Sequence, residues 1–313
     1  MNGMKIATII CWIVSALVLV GLILWFLTGS MFGNLFGNWN RGWDGFPFGL
    51  GRGITENLTG SFTVDGTYTV ETEGLDAIKI EWVAGEVTVK AHAGDNIIIT
   101  EMAQRELRFN EKLRYDTSGH TLTVKFTERG RASMRMPPKR LEVLVPEPFA
   151  ENLARLHIDS VSGGINIDDL NAPALLHLNT VSGNINVTGA VNDINIDSVS
   201  GRIWVTNTHS SSTVNVNTIS GHIDLKGDFD RVKIDTVSGS VAVTSAIIPS
   251  SFKTNTISGG IHIALPADET ISVRHSSVSG KLSSDIPVLM ESRGFTFDIS
   301  TISGSTQITA IGN

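Results

Sequence analysis

The chain is short of three things that usually carry chemistry. It has one cysteine, Cys11, in 313 residues, which excludes an internal disulfide framework and a cysteine-based zinc site. Charged residues are 18% of the total, against roughly 25% in ordinary soluble domains, and the net charge is −7. Nucleic acid is therefore a poor candidate for the main partner. The eight histidines include no HExxH pair and show no spacing to a nucleophile. No catalytic residue, metal ligand set or cofactor site can be named, and the chain reads as non-enzymatic.

What is present begins with an apolar run. Ile6–Leu27 is 22 residues without a charge, about 33 Å as a helix and long enough for the roughly 30 Å hydrocarbon layer. A signal peptide is the competing reading, because Lys5 precedes the run. Bulky Trp25 and Phe26 crowd a candidate small-residue cleavage site, Thr28-Gly-Ser30, so residues 1–28 are expected to remain as a transmembrane anchor. Cys11 lacks the small residues that a lipobox needs. Residues 29–60 are a connector rich in Gly and aromatics: 29–53 holds eight Gly and six Phe or Trp. This segment reads either as lying in the headgroup region or as a flexible stalk.

A repeat fills the rest. Ser/Thr–Val/Ile–Ser–Gly occurs eight times, with its glycine at Gly163, Gly183, Gly201, Gly221, Gly239, Gly259, Gly280 and Gly304. The spacing of 18–24 residues suggests stacked units. Counted from the glycine, positions −7, −5, −2, +2 and +4 are apolar in 36 of 40 cases, the exceptions being Thr254, His275, Ser284 and Thr306. Period-2 alternation on both sides of a glycine corner predicts two short strands per unit. The fold class is thus all-β: a single-chain parallel β-helix or β-solenoid over 151–313, stacked in chain order and preceded by one transmembrane helix.

Around Gly85 the same frame gives a full apolar match with Trp82 and Ala84 in the motif, a degenerate first coil. Residues 61–150 thus read as degenerate coils with an inserted hairpin at Ser118-Gly119, a charged stretch at 101–116 and a strand, Leu141–Val145, stopped by Pro146. Residues 129–140 carry five bases and no acid, either a solvated loop or a contact for anionic headgroups or wall polymer. At outward position −4, Asp159, Asn179, Asp197, Asn217, Asp235 and Asn255 alternate, so that no carboxylate faces another across coils. Position −6 reads His157, His177, Asn195, Asn215, Lys233, Lys253, Arg274 and Asp298. Stacked in that order, Lys233, Lys253 and Arg274 form a cation column, a candidate anion-binding site. His157 and His177 could share a metal but suit an ordinary surface as well. Asp168-Asp169 and Asp228 with Asp230 are the nearest approach to a glycosidase carboxylate pair, at expected turns.

The order of anchor, aromatic-Gly connector, degenerate coil, Pro-stopped strand and serial [ST][VI]SG units resembles the bacterial "putative adhesin" family of β-strand-repeat proteins, which includes LiaG-type envelope proteins. That resemblance covers about 70–313. It implies a parallel β-helix on the extracytoplasmic side of the cell membrane, serving as an adhesin-like envelope-binding or scaffold module, or assisting an envelope-stress system through a membrane partner; the cation column, not the resemblance, suggests an anionic wall polymer as its ligand. It brings no catalytic residues.

Overall fold

The computed structural model describes residues 61–127, 136–171, 175–267, 270–289 and 296–311. Among them no helix is long and apolar enough to cross a membrane. The segment expected to cross, 6–27, and the connector up to residue 60 lie outside the described residues.

One unit shows the construction. Strand β10 (Leu175–Ser182) turns at Gly183 into β11 (Ile185–Ala190). Leu176, Leu178, Ile185 and Val187 are buried, while His177, Asn179, Asn186 and Thr188 face outward. β10 pairs in parallel with β8 (Arg155–Ser162) and β12 (Asp193–Ser200), placing Leu178 between Ile158 and Ile196. β11 lies likewise between β9 (Ile165–Asn171) and β13 (Ile203–Ser220). Two parallel ladders therefore meet at the glycine corner, and like residues stack on like. Each inward aliphatic side chain contributes roughly 1.5–3 kcal/mol by leaving water.

The corner needs glycine for two reasons. Gly221 has φ +143°, where an L side chain is strained, and a Cβ there would lie 1.9 Å from the carbonyl oxygen of Gly201. The same crowding recurs at every motif glycine and at Gly85.

The expected inward frame holds at −7, −5, +2 and +4 but not at −2. Strict alternation carries the inward set on to −3, so the motif's first Ser or Thr is buried: Ser160, Thr180, Ser198, Thr218, Thr236, Thr256 and Thr301. The Val or Ile at −2 stands half-exposed on the outside of the corner, and Val278 is 54% exposed. Trp82, at −3 of the degenerate coil, is wholly buried, in line with this corrected frame.

The coils do not stack in chain order. The degenerate coil consists of β2 (Ala77–Ala84) and β3 (Val87–His92). It is flanked by β8 and β9 on one side and, on the other, by a further coil made of β6 (Thr121–Lys125) and β7 (Lys139–Pro146). Beyond β13, the ladders continue through β14 (Ile223–Ser238), β15 (Val241–Thr244), β16 (Ser251–Ser258) and β17 (Ile261–Leu265). The coil that follows in space is the last in the chain, β21 (Phe297–Ser303) with β22 (Thr306–Ala310). The Gly280 coil, β18 (Ile271–Ser279) with β19 (Leu282–Ser284), comes after it and is the outermost. The glycines agree: a Cβ on Gly304 would strike Gly259, and one on Gly280 would strike Gly304. The chain skips one place at each end and then fills it.

The end nearest the N-terminus is closed by antiparallel strands. β1 (Thr63–Val70) pairs with β4 (Ile97–Ala103), which pairs with β7. β5 (Arg114–Ser118) and β6 form the expected hairpin. Pro146 ends β7 as expected and leads into α1 (Glu147–Ala150), a single turn before β8.

Candidate binding face

The outer face of the first ladder carries two polar columns. Position −4 reads, in stacking order, Glu81, Asp159, Asn179, Asp197, Asn217, Asp235, Asn255, Ser300 and Ser276. Each Asn donates to the Asp of the coil before it: Asn179 to Asp159 at 2.8 Å, Asn217 to Asp197 at 2.8 Å and Asn255 to Asp235 at 2.6 Å. The alternation is thus a hydrogen-bonded ladder, with each amide occupying a carboxylate oxygen. Burial alone would raise the Asp159 carboxyl. Its contacts with His157 and Asn179 and the nearby Lys79 outweigh that and hold it below its usual range.

Position −6 differs from the expected cation column. In space it reads Lys79, His157, His177, Asn195, Asn215, Lys233, Lys253, Asp298 and Arg274. Lys233 and Lys253 are adjacent, but Asp298 separates Lys253 from Arg274 because the last coil is inserted there. Arg274 donates to Asp298 through Nε at 3.0 Å and through a second guanidinium nitrogen. Lys233 lies 3.3 Å from Asp235 on its own strand. His157 and His177 do come together, with ring centroids 4.7 Å apart. Each faces a carboxylate: His157 Nε2 is 2.9 Å from Asp159, within ion-pair range but off the axis of a hydrogen bond, and His177 Nε2 is 3.4 Å from Asp197. Among the described residues no group of three or more His, Cys, Asp or Glu could hold a metal ion.

The other candidate carboxylates lie on strands, Asp168 and Asp169 in β9 and Asp228 and Asp230 in β14. Asp169 sits at φ +47° near the end of β9, and its backbone N–H donates to Thr188. Asp228 accepts from the Ala246 N–H, and Asp230 lies 3.5 Å from Arg231.

A charge network at the N-terminal end was not visible in the sequence. Lys139 belongs to the basic run 129–140, yet its side chain is wholly buried at the corner position of the end coil. Its Nζ donates to Glu101 at 2.5 Å, to the Glu111 carbonyl at 2.8 Å and to the Phe126 carbonyl, and lies 4.1 Å from the Phe126 ring centroid. Burial lowers the Lys139 ammonium from its ordinary value, with Glu101 opposing. Residues 104–113 connect β4 to β5 across this end. Glu111 takes two hydrogen bonds from Arg105 at 2.8 Å each and one from the Arg108 N–H at 2.9 Å, which hold its carboxyl at about 2 against the opposing effect of burial. The carboxylate of Asp65 on β1 accepts from the Leu107 N–H and pairs with Lys112, and Glu101 accepts from the Leu113 N–H. Only the charge density of 101–116 hinted at this network.

The sequence model of the family described as Toastrack DUF4097 matches residues 75–310. Among solved structures, the chain is similar to a "putative adhesin" from Bacteroides fragilis, with 11% identity and a TM-score of 0.49 over 80% of this chain and 97% of that one. A "putative lipid binding protein" from Parabacteroides distasonis shows 15% identity and a TM-score of 0.45 over 81% and 98%. Another Parabacteroides distasonis structure, also a "putative adhesin", shows 12% and 0.41 over 81% and 98%. No curated protein matches the chain.

Proposed function

Because the chain belongs to the Toastrack DUF4097 family, we propose that it is a non-enzymatic binding module of a bacterial envelope, held to the membrane by residues 1–28 with its β-solenoid on the extracytoplasmic side. The observation that supports this reading best is the outer face of the first ladder. There, polar side chains repeat at coil spacing, about 4.8 Å, over the length of the stack. A hydrolase of glycans needs two carboxylates facing one groove across roughly 5–10 Å. Here the ladder carboxylates of Asp159, Asp197 and Asp235 are each bonded to the Asn of the next coil. A rigid, regular surface of this kind suits a polymer with its own regular repeat. Lys233 and Lys253, side by side, favour one bearing phosphates or carboxylates.

Retention of the full chain on isolated cell walls, measured against salt, tests the proposal. Retention should weaken as salt rises and fall several-fold when Lys233 and Lys253 are both changed to Gln. Retention indifferent to both would remove the polymer-binding reading, and turnover of a wall polysaccharide would replace it with an enzymatic one.

A further inference from the structure

Five large hydrophobic side chains are exposed among the described residues, and three of them lie at one end of the solenoid: Phe109 at 81%, Val64 at 62% and Tyr115 at 36%. They come from the segment 104–113 and from the two strands that edge this end, β1 and β5. Phe109 is the most exposed of the five, and it is not on a loose loop. On either side of it Leu107 and Leu113 are buried, 4% and 7% exposed. The Glu111 N–H bonds back to the Arg108 carbonyl at 2.8 Å, and the Lys112 N–H bonds to the same carbonyl. Glu111, Asp65 and Glu101 then fix the turn through the hydrogen bonds described above. These hydrogen bonds fix the turn and leave a bare phenyl ring, between exposed Arg108 and Asn110, facing outward at the pole of the stack.

We propose that this pole is a lipid-docking surface, with Phe109 entering the boundary between headgroups and acyl chains and Val64 and Tyr115 beside it. Three arguments select a lipid surface as the occupant. Aromatic rings next to arginines match the chemistry of the interface, where the ring is apolar and the guanidinium meets phosphate. Arg108 and Arg114 are exposed at this end, beside exposed Glu106 and Asp116, while Arg105 is bonded to Glu111. The pole also carries β1, the first described strand, so the 62 residues preceding it, with their 22-residue uncharged apolar run, join the solenoid here. The inference rests on the anchor reading above and adds an orientation, with the solenoid axis pointing away from the membrane and the Gly280 coil outermost.

The test uses the full chain with Cys11→Ser, so that a single cysteine at Asn110 or, as a control at the other pole, at Val278 can carry an environment-sensitive dye. The protein is reconstituted in vesicles of phosphatidylcholine and phosphatidylglycerol at 7:3 containing spin-labelled lipid. The dye at 110 should be quenched and blue-shifted and the dye at 278 should not. Phe109→Ser should reduce the quenching at 110 about tenfold while leaving the melting temperature unchanged. Equal quenching at both sites, or quenching at 110 indifferent to Phe109→Ser, overturns the proposal. So does a blue shift that follows protein density and ignores the quencher lipid, which would assign the pole to a second copy. The anchor is scored separately: a chain stripped from the vesicles by alkaline carbonate refutes the anchor, whereas an anchored chain with no quenching at 110 refutes only the docking.

Discussion

Gly221 and Gly74 both have positive φ but differ in what surrounds them. Gly74, at φ +74°, has nothing within 4 Å of the place a Cβ would occupy, whereas Gly221 has the Gly201 oxygen at 1.9 Å. Gly74→Ala should therefore cost about 1 kcal/mol from backbone strain alone. Gly221→Ala should exceed about 3 kcal/mol, because the two coils must also separate. Chemical denaturation of both variants checks the ranking. A second residue-scale case is His275, which occupies an inward position of the outermost coil. Burial lowers its imidazole from the ordinary 6.5, so the unfolded chain takes up a proton that the folded chain resists. The unfolded state then binds more protons as pH falls below about 6.5. Stability drops through that window until the folded ring is protonated too, and above it His275 adds nothing to the slope. His275→Leu should flatten the fall in melting temperature between pH 7 and 5, and identical slopes would show that other groups cause it. Residue type misled in one place. Val and Ile at −2 read as core by their hydrophobicity, yet strand alternation, which is geometric, buries the Ser or Thr beside them.

Within the elements, the Asn–Asp ladder and the end cap behave oppositely when a charge is changed. Asn217 lies between Asp197 and Asp235 in register and donates to Asp197. Asn217→Asp would place three carboxylates in a row and should cost on the order of 1 kcal/mol, partly recovered in high salt. That prediction was legible in the sequence, because the alternation at a fixed position is visible without coordinates. In the cap, Lys139 and Glu101 are 1% and 0% exposed. Lys139→Met leaves Glu101 buried without its cation and should cost about 3–5 kcal/mol. The double variant Lys139→Met, Glu101→Leu should cost clearly less than Lys139→Met alone, and equilibrium unfolding of the pair measures the difference. A sequence reading placed Lys139 in an exposed basic run, since nothing in RMPPKR distinguishes the lysine that the register of β7 turns inward.

For the molecule as a whole, the repeat announced the solenoid but not its order. Every coil offers its neighbours the same backbone edge and similar inward side chains, so a chain-order stack and an interleaved one fit the motif equally well. The cation column failed for this reason alone: Lys233 and Lys253 are neighbours, but the coil bearing Asp298 separates Lys253 from Arg274. Amide hydrogen exchange should follow the spatial order. β21 and β22, last in the chain, should exchange as slowly as interior coils, while β18 and β19 exchange faster. The reverse ranking would contradict the interleaving. This arrangement also bears on mechanical load. In a simple stack the C-terminal coil could be peeled away one rung at a time. Here a pull from the C-terminal side meets β21 and β22 with hydrogen-bonded partners on both sides, so each strand must break from two neighbours at once before its length is released. A protein tethered at one end and loaded at the other would resist tension through its last coil rather than yield there first.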